Sequence, residues 1–189
     1  MDFADAKFRT LVAQLAPAII RIGGTAVDYS YYFPDAPYLV GGINDCPACG
    51  SGASRIGDAM LTQVFDFIAA TDMSLLWDVN GRTRVGTGPW DPSLNFTAMA
   101  KHLNAQYGGK VDYAYSVGNE PNLWSKPTPS AEQLAHDAVA MVDELKSYDI
   151  GKKVFGPSWA GVSSSSAASY LPIAHAGGVT GYTVHDYRE

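Results

Sequence analysis

The run Val117-Gly118-Asn119-Glu120-Pro121-Asn122 closes an apolar stretch by setting a glutamate beside an amide. A glutamate so placed suits a general acid, and the neighbouring asparagine could bond a sugar hydroxyl. Glycoside hydrolysis needs one carboxyl that protonates the leaving oxygen. A second must attack the anomeric carbon or activate water. Asn-Glu alone recurs by chance in many proteins, whereas the six-residue block after an apolar run is much more specific. Polar side chains gather at comparable points along the chain. These are Arg21, Thr25 and Asp28; then Asp78, Asn80, Arg82 and Arg84; then Ser158 and Trp159; and finally His185, Asp186 and Tyr187. Solvated loops would collect polar residues too, but not together with Trp77, Trp90, Trp124, Trp159 and Tyr187. Polar groups beside flat aromatic platforms suit a carbohydrate.

The elements that must position these residues alternate. Phe8, Leu11, Val12 and Leu15 have helical spacing, and Pro17 ends that helix. Residues 18–22 read as a short buried strand closed by Gly23-Gly24. Leu61, Val64, Phe65 and Ile68 mark a second helix, and residues 74–79 a second strand. A third helix runs through Phe96, Met99 and Leu103 to Gly108-Gly109, followed by a strand over 111–117. Ser130-Ala131-Glu132-Gln133 is a capping box opening a helix with Leu134, Ala138, Met141, Val142 and Leu145 on one face. A strand over 153–156, a helix before Gly177-Gly178 and a strand over 182–185 complete the series. Five strands separated by helices argue for parallel βαβ units in a single domain, 1–189. Neither G-x-G-x-x-G nor G-x-x-x-x-G-K-[ST] occurs, so an eight-stranded barrel leads over a doubly wound sheet. In such a barrel the C-terminal strand ends meet on one face and form the site.

Composition narrows the functions. The chain has 189 residues, 47% hydrophobic and 17% charged, which is too apolar for disorder. Its net charge of -6 disfavours nucleic acid, since phosphate binding relies on clustered Lys and Arg. No cofactor or metal is expected. Cys46-Pro47-Ala48-Cys49 lies in a Gly/Pro/Asp-rich stretch, 35–57, that reads as loop. A local disulfide or two incidental thiols fit it better than zinc or a redox motif. No signal peptide is visible at the N-terminus, and Asn95-Phe96-Thr97 is a glycosylation sequon.

Four ordered blocks resemble a known family. Arg21-Ile22-Gly23-Gly24-Thr25-Ala26-Val27-Asp28, Gly118-Asn119-Glu120-Pro121-Asn122, Phe155-Gly156-Pro157 and Thr183-Val184-His185-Asp186-Tyr187 are similar to heparanase and its relatives in glycoside hydrolase family 79. Phe8-Arg9-Thr10-Leu11 and Asn80…Arg84…Trp90 add to the likeness, which runs roughly from Phe8 to Tyr187. The resemblance implies a retaining glucuronidase on a (β/α)8 barrel, with two catalytic glutamates. Its substrate would be a glucuronic-acid-containing polysaccharide or glycoside, and its location secreted, lysosomal or membrane-associated. It implies Glu120 as acid/base, Asn119 beside the sugar, and Asp28 at the terminal uronic acid with Thr25 near it. His185 and Tyr187 would stand at the end of the sixth strand. Glu120 would protonate the glycosidic oxygen while a partner carboxylate ~5 Å away forms the glycosyl-enzyme.

On that template the chain holds about strands 2 to 6, and strands 1, 7 and 8 are missing. A barrel of this kind takes about 250 residues. The nucleophile expected at the seventh strand is absent, and Glu189 follows His185 too soon to be it. The expectation is a chain inactive alone, with a second chain as one way to complete the barrel. An alternative is a catalytically silent carbohydrate-binding barrel. Duller roles stay open for single residues: a turn or cap for Asp28, a satisfied core histidine for His185, a solvated loop for Arg82 and Arg84. His136 reads as solvated and His175 as a helix cap. Of the tryptophans, only Trp124 and Trp159 are set apart as sugar platforms rather than core.

Overall fold

The computed structural model describes residues 2–35, 39–40, 53–84, 88–124 and 128–185. Five strands build one parallel sheet: β1 (Ile19–Ile22), β5 (Ser74–Val79), β6 (Tyr113–Val117), β7 (Lys153–Ala160) and β8 (Gly181–His185), in that spatial order. The sheet curls into a half-barrel. Helix α1 (Ala6–Ala13) precedes it, and α2 (Asp58–Thr71), α3 (Phe96–Tyr107), α4 (Ala131–Ser147) and α5 (Ser164–Ala176) connect successive strands. Every strand of this sheet overlaps one read from the sequence, but residues 18–22 are not the buried strand expected: no residue of β1 is buried, because β1 is an edge strand at the open hollow.

The two faces of the sheet differ. Leu75, Trp77 and Val79 of β5 alternate onto the same side as Tyr113, Tyr115 and Val117 of β6. There they meet Val64, Phe65 and Ile68 of α2, Met99 and Leu103 of α3, and Leu134, Met141 and Leu145 of α4 in one buried cluster. Phe65 stands edge-on to Tyr113, with ring centroids 5.2 Å apart. Each fully buried side chain of this size contributes roughly 1.5–3 kcal/mol. On the concave face, Ile19, Arg21, Leu76, Ala114, Phe155 and Thr183 line an open hollow. Among the described residues β1 pairs only with β5 and β8 only with β7, so both outer edges lack a strand partner.

Three features depart from the sequence expectation. The stretch 35–57 carries two strands, β3 (Leu39–Val40) and β4 (Ser54–Ile56). With β2 (Ser30–Tyr32) they form a small mixed sheet, β2-β4-β3. Strands of two or three residues are too short to show a period. Cys46 and Cys49 lie outside the described residues. Strand β7 runs to Ala160, beyond Gly156, with an irregular register against β8 between Phe155 and Ser158. Helix α1 buries only part of its apolar stripe. Phe8 stacks on Phe67 at 5.3 Å, while Leu11 and Leu15 stay 60% and 66% exposed, beside Ile19 at 72%. No helix among the described residues is long and apolar enough to cross a membrane.

Candidate active site

Glu120 lies three residues beyond the end of β6, in a backbone conformation that L-residues seldom adopt: φ 46° and ψ 48°. Gly118, two residues earlier, also has positive φ, at 81°. Asn119 between them pairs with Ser158 as an isolated parallel bridge. The Glu120 amide donates to the Ser158 carbonyl at 2.6 Å, and the Leu123 amide donates back to the Glu120 carbonyl at 2.8 Å. A left-handed non-glycine residue costs on the order of 1–3 kcal/mol, and these bonds hold it in place.

The turn brings the Glu120 carboxyl across the end of β7 to β8. There His185 Nδ1 lies 2.6 Å from Oε1, and both side chains are mostly buried. A hydrogen bond of that length fixes the direction in which the carboxyl faces. In the sequence both are strand-end residues, and the structure brings them together.

Asn119 sits above a second polar group. Its Oδ1 accepts from Arg21 Nη2 at 2.9 Å, and the same guanidinium pairs with Asp78 through both its Nε and its Nη2. Burial pushes the Asp78 carboxyl up to about 6, against the opposing pull of Arg21. Arg21 and Asp78 are visible in the sequence as strand-end residues. Their union across 57 positions is not.

Asp28 lies beneath the turn and is 2% exposed. Its Oδ1 accepts from the Asn119 amide at 3.0 Å and its Oδ2 from Trp124 Nε1 at 2.9 Å. Burial pushes this carboxyl up to about 7, opposed by both hydrogen bonds and by the Arg82 charge. Thr25 lies exposed in the turn after β1. Tyr187 falls outside the described residues.

Trp159 is core: it is 4% exposed and edge-on to Tyr170. Trp124 is partly exposed at the rim, with the Arg82 guanidinium 5.0 Å from its ring and 4.8 Å from that of Tyr29. Arg84 is no solvated loop residue, because a bidentate pair with buried Asp137 of α4 engages it. His136 and His175 are exposed, and His102 Nδ1 stands 3.5 Å from Asp58. Asn95 of the sequon is 8% exposed and bonded to Tyr32 and Ser30, a poor acceptor for a glycan in the folded chain. No group of three or more metal-ligating side chains occurs among the described residues.

No family model matches the chain. In sequence it is similar to a hyaluronoglucuronidase of Hirudo nipponia, 24% identical over 210 residues, covering 99% of this chain and 42% of that protein. In fold it is similar to a 4-O-α-L-rhamnosyl-β-D-glucuronidase from Fusarium oxysporum in complex with Rha-GlcA. The TM-score is 0.67 and the identity 17%, over 96% of this chain and 40% of that one. A family 51 α-L-arabinofuranosidase from Bifidobacterium longum shares the fold at TM-score 0.61 and 15% identity, over 96% of this chain and 37% of that one. The relatives are glycosidases, and the chain spans about two-fifths of their length.

Proposed function

We propose that this chain carries the acid/base half of a retaining glycosidase of the glycoside hydrolase family 79 type, acting on glucuronic-acid-containing glycans. Its five-stranded sheet corresponds to strands 2 to 6 of a (β/α)8 barrel. The observation that carries the reading is Glu120, turned out from the C-terminal end of β6 and held at Oε1 by His185. That end of a parallel barrel is where substrates react. The hyaluronoglucuronidase likeness supports a glucuronide as substrate. The family 79 resemblance alone carries a secreted, lysosomal or membrane-associated location.

In the first half-reaction Glu120 gives its proton to the glycosidic oxygen as the bond to the anomeric carbon breaks, and a carboxylate on the other side forms the glycosyl-enzyme. In the second, the Glu120 carboxylate takes a proton from water, and that water displaces the enzyme carboxylate. His185 holds the carboxyl in line through both steps, and Asn119 orients the sugar beside it. The second carboxylate comes from further βα units that close the barrel, in the same chain or a partner chain. Such units would also cover the exposed Leu11, Leu15 and Ile19 and the two open sheet edges.

One observation favours a second reading, a silent carbohydrate-binding barrel. Asp28 and Asp78, the other described carboxylates at this end of the sheet, are buried and engaged elsewhere. Hydrolysis of aryl β-D-glucuronides separates the two. This chain alone is expected to be inactive and to self-associate. The protein with its barrel closed is expected to turn over, and Glu120→Gln to lose about 10²–10⁴-fold on poor leaving groups. An activated leaving group needs no proton, so its release should survive that substitution. Turnover by the chain alone, abolished by Glu120→Gln, would refute the need for an outside carboxylate. A closed barrel that binds glucuronides without cleaving them would establish the silent reading.

A further inference from the structure

We infer that Asp28 is a positioning residue, whose carboxylate clamps the turn that aims Glu120 at His185. The inference rests on the acid/base assignment of Glu120 and departs from the resemblance, which would put Asp28 against the sugar. At 2% exposure the side chain is out of reach of a ligand, and both its oxygens already accept hydrogen bonds. Those donors are informative. One is the Asn119 amide, the peptide group between the two positive-φ residues Gly118 and Glu120. The other is the Trp124 indole N–H, which also reaches the Asn119 carbonyl at 2.9 Å. Asp28 therefore holds Asn119 on the amide side directly and on the carbonyl side through Trp124.

Packing leaves the turn no alternative seat. A Cβ on Gly118 would meet Trp124 at 3.1 Å, and one on Gly81 would meet the Gly118 Cα and the Trp124 ring, each at 2.9 Å. The indole is wedged against both backbones, with Arg82 on its face. Asp28 is presented by the helical turn Val27–Tyr29, itself pinned by Ser30 Oγ to the Ala26 carbonyl at 2.8 Å. The charged groups facing Asp28 are Arg82, from the turn after β5, and Asp78 of β5, which in turn faces Arg21.

A carboxylate accepts from both donors. A carboxylic acid has one good acceptor oxygen and a hydroxyl with a proton to give away, so protonation weakens one arm of the clamp. Burial pushes the carboxyl up to about 7, and the clamp should tighten as pH rises through neutrality.

The test uses this chain labelled with ¹⁵N at histidine and tryptophan and read by magic-angle-spinning NMR, which does not depend on a tumbling monomer. In the wild type the Trp124 indole resonance should move with pH, with a midpoint near 7. Asp28→Asn should abolish that movement and shift His185 Nδ1 toward the position of an imidazole without its carboxylate partner. Trp124→Phe removes one arm and should shift His185 in the same direction. Ile68→Val, a comparable loss of core packing remote from the turn, should leave both signals unmoved. Should Asp28→Asn not fold, Trp124→Phe decides. Folded clamp variants with the wild-type His185 spectrum would overturn the inference, as would equal movement in Ile68→Val. No readout involves sugar or turnover. A chain inert toward glucuronides leaves the clamp standing, and a failed clamp leaves Glu120 as acid/base.

Discussion

Two arginine–aspartate pairs occupy the same half-barrel, and they differ in what the arginine does next. Arg84 meets Asp137 through both terminal nitrogens, and the Trp90 amide completes the aspartate's shell at 3.1 Å. The side chains are 12% and 1% exposed, and every partner belongs to the scaffold. Arg21 meets Asp78 in a similar fork, but its side chain is 28% exposed over a carboxylate at 0%, and its Nη2 also reaches Asn119. The first pair ends in structure, fastening the loop before α3 to α4. The second links Asp78 of β5 through Arg21 of β1 to the residue beside Glu120. The same chemistry closes a scaffold when all its donors turn inward, and supports a site when one of them is left over.

The scaffold pair should break hardest. Arg84→Met leaves Asp137 a buried charge with the Trp90 amide as its chief remaining partner, at a cost of about 3–5 kcal/mol. Thermal melts should fall by on the order of 10 °C. The Trp124 and His185 resonances should hardly move, because nothing in that pair touches the turn.

The site pair offers two smaller perturbations. Gly23→Ala would drive a Cβ into Asp78 Oδ2 and to 2.8 Å from Arg21 Cζ, so the fork must open. Overpacking of this kind costs about 1–3 kcal/mol, and here it should also disturb Asn119. Arg21→Met should cost about 2 kcal/mol at pH 8 and less at pH 5. Asp78 sits at about 6, so in acid it escapes an unpaired charge by taking a proton. A loss independent of pH would mean that Arg21 acts by packing alone.

The carboxyls of Asp28 and Asp78 give the wild type its own pH signature. Both are raised from 3.8, to about 7 and about 6, so between pH 4 and pH 7 the folded chain binds protons that the unfolded chain has released. Stability from these groups is therefore full below about pH 4 and falls by up to a few kcal/mol as pH rises through the folded values. Asp28→Asn should flatten the upper part of that slope in melts at pH 5 to 8.

This contrast marks where the sequence stops being legible. The central strands β5 and β6 and the helices α2 and α4 announce themselves, because a buried stripe must repeat at the period of its element; the edge strands β1 and β8 show only as short apolar runs. Glu120 announces itself as well, within a six-residue block after an apolar run. Which arginine meets which aspartate does not, since partners 57 and 53 residues apart share no pattern until the chain is folded. From sequence Arg82 and Arg84 read alike, yet one stacks between two rings and the other is tied to α4. Asp28 reads as a sugar contact or a turn residue, and no sequence pattern announces its burial beneath Asn119.

The smallest perturbation tests whether the scaffold pair acts alone. Ser130 caps α4, accepting from the Gln133 amide at 3.1 Å, and Ser130→Ala should cost about 1 kcal/mol. The same first turn touches the loop that Arg84 touches: Gln133 Nε2 and Arg84 Nη1 both reach the Gly88 carbonyl, at 3.4 and 3.3 Å. If the cap only ends the helix, Ser130→Ala and Arg84→Met should add within about 0.5 kcal/mol in a double-mutant cycle. A coupling above that would show cap and ion pair seating the loop together. The scaffold pair would then pass its hold onward to a neighbouring element as the site pair does, and the distinction between the two would narrow to what lies at the far end.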